Sequence, residues 1–316
     1  MGKKFVLSQE DGTAANGNLR GDGAVDLQMA RNNASQVVSG SYSIILAGAS
    51  NKVTKDYSIS GGINCSNEGR ASVSFGNNNT IALNCDNAGI LCGNANTLNS
   101  GDSAILSGRT NTLTSAYGVI AGGQGNTGST SSHVTISGGS SNISSSQYGT
   151  VSGGQSNTAS TGTHATVVGG QSNTASGIWS IAGGYNNTAS GLNSFAAGRE
   201  GTAAQGQTSF AFGRSCIAQE KNSIATGEGT RAYLFAMRSH SGIGGFISNV
   251  ESQISDLIAS KLAVLASNAT TVLSLDGTGV TNLIIPFGTN RAWNVQVNWV
   301  AVVTEITGTA TGITVG

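Results

Sequence analysis

Groups able to do chemistry are few in this chain. It has three histidines, His133, His164 and His240, and four cysteines, Cys65, Cys85, Cys92 and Cys216. Metal binding calls for such ligands at close spacing, as in C-x-x-C or H-E-x-x-H, and neither pattern occurs. There is no G-x-S-x-G elbow or P-loop, and no histidine has an acidic partner at motif spacing. Glycoside cleavage needs two carboxylates across a groove, yet residues 116–198 carry no Asp or Glu. The G-G-x-G-x-D nonapeptide of calcium-bound β-rolls is missing as well. The expectation is a protein that is not an enzyme, without cofactor or metal. Arg20-Gly21-Asp22 spells a cell-attachment tripeptide, but a tripeptide this short recurs by chance.

One set of rings does recur in register. Six residues before successive glycines of a repeat stand Tyr117, His133, Tyr148 and His164, followed by Ile178 and Leu192, with Trp179 one position off. Two readings stay open: ring stacking at a strand entrance or across a subunit seam, and a receptor-contact stripe for sugar or protein, since amphipathic rings suit surfaces that are apolar on one side and wet on the other.

The elements that carry these rings follow from the glycines. Gly48, Gly62, Gly76, Gly93, Gly108, Gly123, Gly139, Gly154, Gly170, Gly184, Gly198, Gly213 and Gly227 recur every 14 to 17 residues. Three residues before each stands a large apolar side chain: Ile45, Ile59, Val73, Ile90, Ile105, Ile120, Ile136, Val151, Val167, Ile181, Phe195, Phe210 and Ile224. A register this strict marks a solenoid, each unit a coil that cannot bury its apolar side chain alone. The thirteen apolar residues are expected to form the inward column of the shaft. Gly supplies positive φ at the corner, and the Asn of nine Gly-x-x-Asn units, from Asn51 to Asn187, is expected to stack as an amide ladder. Cys65 and Cys216 fall where other coils place that Asn and read as structural. A second inward position five residues after the glycine is smaller, as at Ala159, Ala175, Ala189 and Ala203, so the core is thin and lateral association is expected to supplement it. At about 4.8 Å per strand, thirteen coils make a rod of about 60 Å.

Composition narrows the partners. Of 316 residues 47 are Gly, one is Pro and 9 % are charged, with 15 Lys and Arg balancing 15 Asp and Glu. Zero net charge leaves no basic field for nucleic acid or an anionic membrane. No stretch approaches a membrane span, and the start, MGKKFVLSQEDG, has no apolar run of signal-peptide length. Synthesis in a cytoplasm, without a signal peptide or membrane insertion, is therefore expected.

Ser194-Phe195-Ala196-Ala197-Gly198, Ser209-Phe210-Ala211-Phe212-Gly213 and Ser223-Ile224-Ala225-Thr226-Gly227 resemble the S-[VI]-A-x-G repeats in the heads of YadA-like trimeric adhesins. That resemblance spans residues 41–232 and implies an all-β, left-handed parallel β-roll of about thirteen coils, associated as a homotrimer. Earlier coils depart from it, with S-G-G or V-G-G in place of A-x-G. Such repeats also occur in phage tail fibres, and Gly17–Gln28 resembles the G-N-x-R-G-x-x-A-V-D-L-Q entry segment of that group. Further on, Ser274-Leu275-Asp276-Gly277, Trp293 and Val300–Val303 are similar to the β-sandwich tip that follows the repeats in those fibres.

Four segments result: an N-terminal attachment or entry segment (1–40), the β-roll shaft (41–232), a transition (233–269) and a β-sandwich-like tip (270–316). Residues 1–40 read equally as a docking peptide or a first capping turn. In the transition, Ile247, Val250, Ile254, Leu257, Lys261 and Val264 fit a short heptad, whereas the resemblance implies strands. The tip ends after too few strands to close a sandwich. The function implied is a virion tail fibre, bound to a tail or baseplate protein through its N-terminus and to a host-surface glycan or protein through its distal end. A bacterial trimeric adhesin, a contractile-injection-system fibre and a polysaccharide-degrading tailspike are the alternatives.

Overall fold

The computed structural model describes residues 19–129 and 132–241, together with the backbone of Ile254–Asp256. The chain divides into Met1–Leu283 and Ile284–Gly316, and every described residue belongs to the first unit. They form an all-β parallel solenoid of about 14 turns, with no helix among them. Each turn gives one strand to each of two sheets. The first sheet has 16 strands, running from Val25–Asp26 to Ile254–Asp256, and the second has 13, from Lys52–Val53 to Arg231–Ala232. Successive turns pair in parallel, and only the last pairing, Arg238–Ser241 with Ile254–Asp256, is antiparallel.

The coil runs past both limits read from the repeat. Val25–Asp26 already pairs with Ile44 and Ile45, and Arg238–Ser241 continues the stack above Ile224–Gly227. Of the two readings for residues 233–269, strand is what both described pieces adopt, while the remaining heptad positions and the tip at 270–316 lie outside the described residues.

The apolar column divides into two classes. Ile45, Ile90, Ile105, Ile120, Ile136, Val151 and Val167 are fully buried, as expected. Ile59, Val73, Ile181, Phe195, Phe210 and Ile224 are not, and the next residue in each turn, Ser60, Ser74, Ala182, Ala196, Ala211 or Ala225, takes the inward place. The reason lies at the corner that precedes the strand. There one residue per turn adopts a left-handed φ, such as Tyr117 (φ 55°) or Trp179 (φ 54°), and in/out alternation starts from it with period two. From Tyr117 the chain reads Gly118 in, Val119 out, Ile120 in, with Gly123 six residues past the corner. From Trp179 it reads Ser180 in, Ile181 out, Ala182 in, with Gly184 only five past the corner. Turns of the first kind, here called wide, hold one extra residue between inward side chain and glycine. That is a β-bulge, seen as register shifts between Ile45 and Gly48 and between Val167 and Gly170 where wide turns meet tight ones. A one-residue slip changes the face of every side chain, so tight turns turn their large residue outward.

Opposite, in the second sheet, Val53, Ile81, Leu98, Leu113, Ala159, Ala175, Ala189, Ala218 and Ala232 point inward as expected. Ala203 does not, and Ala204 replaces it, because Glu200 and Gly201 both take left-handed φ and lengthen that corner. The Asn column is fully buried from Asn51 to Asn187. Its bonding differs from a simple amide ladder. Each side-chain oxygen accepts the next rung's backbone N–H, as from Asn126 to Asn111 (2.9 Å) and from Asn142 to Asn126 (2.9 Å). The amide nitrogen donates to backbone carbonyls, as Asn126 does to Gly122 (2.9 Å) and Gly139 (3.1 Å). The amides are thus spent on backbone that a corner would leave unpaired, with one amide-to-amide rung as well, from Asn173 to Asn157 (3.1 Å).

At the N-terminal end this column has a cap. The Gln28 side-chain oxygen accepts from Asn51 N (2.8 Å), and its amide donates to Gln36 O (2.6 Å) and Asn51 O (3.2 Å). Buried Asp26 accepts from Arg31 (2.7 Å) and Arg20 (3.3 Å). Residues 19–40 therefore form a capping turn, which covers column groups that would otherwise stay unpaired. Residues 1–18 lie outside the described residues.

Candidate functional site: a row of rings at one corner

The corner that sets the alternation also holds the predicted ring stripe. Tyr117, His133, Tyr148 and His164 stack in sequence, with centroids 4.9, 4.8 and 4.7 Å apart and planes 24°, 29° and 18° from parallel. The spacing is that of parallel strands, because each ring rides on its own turn. The structure thus brings all four together. Trp179 joins as a fifth ring, 6.3 Å from His164 and tilted by 35°. Counting from the glycine placed Ile178 and Leu192 in the stripe. In tight turns the corner sits one residue later, so Trp179 and Asn193 occupy it instead.

All five rings stand on left-handed backbone, with φ from 54° to 62°. Bulky residues there are strained. Equivalent corners without rings carry Asn87, Asp102, Asn193 and Asn222, types such backbone favours, or Ala71, Ala236 and the β-branched Thr208. Stacking recovers part of the strain, and about half of each tyrosine and of Trp179 remains exposed. A second, shorter stack that the stripe reading did not include joins Tyr42 and Tyr57 at the same corner, centroids 5.7 Å apart and 6° from parallel. Its signal was present in the sequence as two tyrosines at corner spacing.

Elsewhere the titratable groups do structural work. Cys65 replaces Asn in its column, with Sγ 3.4 Å from Gly76 O, and burial pushes its thiol up. Burial also raises the Cys85 thiol. Cys216 fills a like place, with Sγ 3.0 Å from Gly227 O. Arg214 pairs with Glu200 and Glu228 on an exposed corner, and the Glu200 carboxylate raises the guanidinium further. His240 meets the Thr226 hydroxyl (3.0 Å), away from the ring row. Among the described residues no three His, Cys, Asp or Glu side chains gather as a metal site.

The row thus presents stacked aromatic edges and polar tips at the surface, and its first and last rings have a ring neighbour on one side only. No protein-family model and no curated protein sequence matches the chain.

Proposed function

We infer that the chain is the shaft-bearing subunit of a homotrimeric fibre, a structural and adhesive protein of a phage tail or tail-like particle. Its resemblance to YadA-like and tail-fibre repeats supports the family side of this reading. The observation that carries the assembly is an apolar face left on the outside of the first sheet. In register the outward row runs Ile44, Ile59, Val73, Gly89, Ala104, Val119, Thr135, Thr150, Thr166, Ile181, Phe195, Phe210 and Ile224, apolar at both ends and mostly Thr in the middle, and Leu46, Phe75, Leu91, Leu106, Val168 and Phe212 flank it. Phe212 is 53 % and Val168 58 % exposed. Apolar surface gathered in this way at the two ends of the row supports an association surface. The tight turns sharpen the point, since in the first sheet they keep only Ala or Ser inside and place Phe, Ile or Val on the outer side. Within one copy these groups are only partly covered, Phe195 by stacking on Phe210 (5.0 Å), and a second copy would cover the rest.

In this reading the fibre spaces a host-binding distal end from the particle, and the N-terminal part docks on a tail or baseplate protein. Sedimentation or mass photometry at micromolar concentration tests the assembly: trimers are expected, and a stable folded monomer overturns it. Removing the residues after Ser241 should leave the rod and remove most binding to host cells. Full cell binding by the shortened rod would move the adhesive role to the shaft.

A further inference from the structure

Stacked rings hide one another's faces, so only the ends of the row can offer a ring face to a ligand. Tyr148 and His164 have a ring on each side. Beyond Trp179 the row stops: the next corner, Asn193, donates its backbone N–H to Ile178 O (2.9 Å) and so lies one rung above the indole. An asparagine side chain is far shorter than an indole, which leaves a ledge with an aromatic floor and an amide at its inner edge. Trp179 is 55 % exposed and its plane is tilted by 35° from that of His164. The Asn193 amide is exposed and makes no side-chain hydrogen bond among the described residues. No Asp, Glu, Lys or Arg occurs from Thr110 to Gly198, so the ledge carries no charge to attract an ionic ligand.

We propose that this ledge binds a neutral pyranose, its C–H face on the Trp179 indole and its hydroxyls paired with the Asn193 amide, which can both donate and accept. The other ring ends lack this pair of features. Tyr117 stands next to Asp102, whose carboxylate already accepts from the Asn87 amide (3.0 Å), and Tyr57 stands next to Ala71, which has no polar group. The strained φ of Trp179 fits a binding role, since Asn at that corner would relieve it.

This deepens the adhesive reading and rests on it only for a host glycan as the natural source of the sugar. The test is a titration of the full chain with maltotriose, cellotriose and chitotriose, followed by ligand-observed NMR. At least one trisaccharide is expected to bind with millimolar Kd. Trp179→Ala should weaken it by tenfold or more and Asn193→Ala by several-fold, while Tyr117→Ala should change it less than twofold. Alanine already occupies this corner at Ala71 and Ala236, so Trp179→Ala keeps the coil, and circular dichroism verifies that. Absence of binding by all three sugars, equal binding by Trp179→Ala, or an equal loss in Tyr117→Ala overturns the ledge. A chain that binds cells but no trisaccharide refutes the ledge alone. A monomeric chain that still binds sugar through Trp179 refutes the fibre reading alone.

Discussion

Ile120-Ala121-Gly122-Gly123 and Ile181-Ala182-Gly183-Gly184 are the same four residues, folded with opposite faces inward. In the wide turn Ile120 is fully buried, whereas in the tight turn Ile181 is 37 % exposed and Ala182 is buried. Side-chain chemistry therefore does not decide which residue enters the core. The distance from the left-handed corner does. Wide turns spend one residue on a bulge and gain room for Ile or Val inside. Tight turns leave it out, hold a core of Ala and Ser, and turn their Phe and Ile to the outer face. One inserted residue thus moves a large apolar side chain from the outer face to the inside of the coil.

Aspartate at the two nominally equivalent positions breaks or upholds this comparison most strongly. Ile136→Asp buries an unpaired carboxylate between rungs and should prevent folding, a cost of several kcal/mol. Ile181→Asp puts the same group on the outer face, so the monomer's coil should survive while association weakens. Gln155→Asp, at an exposed corner, should be tolerated in both respects. Circular dichroism melts with sedimentation separate the three. Equal thermal stability of Ile136→Asp and Ile181→Asp would mean the two kinds of turn do not differ.

Turn width itself can be exchanged. Ile105→Ala should cost about 2–5 kcal/mol, through lost burial and a cavity. Deleting Ser107 alone removes the bulge and forces Ile105 into a narrow turn, costing about 1–3 kcal/mol by overpacking. Both together recreate the tight pattern, inward Ala two residues before glycine, and should cost less than Ile105→Ala alone. Urea unfolding of the single and double variants measures the coupling. Additive costs would count against bulge and side-chain size acting as one unit.

Much of the fold was legible because glycine and asparagine mark corners whose backbone few other residues accept. A Cβ at Gly184 would run into the carbonyl oxygen of Gly198 on the next turn, and its φ is 100°, so the glycine column could be read without error. The Asn187 amide donates to Gly183 O on its own turn and Gly198 O on the next, and was equally visible. The inward column was half legible, because counting back from the glycine misses a bulge that leaves no fixed residue type behind. Counting forward from the corner gives the right face, yet that corner accepts Tyr, His, Trp, Asn, Asp, Thr and Ala and so has no single-letter signature. The ring stripe was found as four residues because all four lie in wide turns. Its fifth member, Trp179, was displaced by the switch to tight turns.

Thiol chemistry checks the faces with a smaller readout. Cys92 is exposed on the outer side of a wide turn, while Cys65 sits in the Asn column of a tight one with its thiol pushed up by burial. At neutral pH Cys92 should react with a maleimide first, on the order of a hundredfold faster than Cys65, which must wait for local opening. Mass-mapped labelling gives the order. Comparable rates would place Cys65 outside the column.

The smallest effect separates the charged ends from the uncharged middle. Lys52 and Glu68 join the first rungs of the second sheet at 2.8 Å, and the Lys52 hydrogen bond holds the Glu68 carboxyl below the usual carboxylate range. A carboxyl lowered in the folded state lends stability that is fully present above its unfolded pKa and is lost as pH falls through the folded value. Both side chains are about one-third exposed, so the contribution is under about 1 kcal/mol and screened by salt. From Thr110 to Gly198 no Asp or Glu exists to take up a proton. Native-state hydrogen exchange, normalised to each amide's intrinsic rate, should therefore show protection around Ser66–Asn67 falling between pH 5 and pH 3, while protection around Thr158–Ala159 stays constant. An equal fall in both places would show that acid acts on the rod as a whole, and that its ends and middle do not open separately.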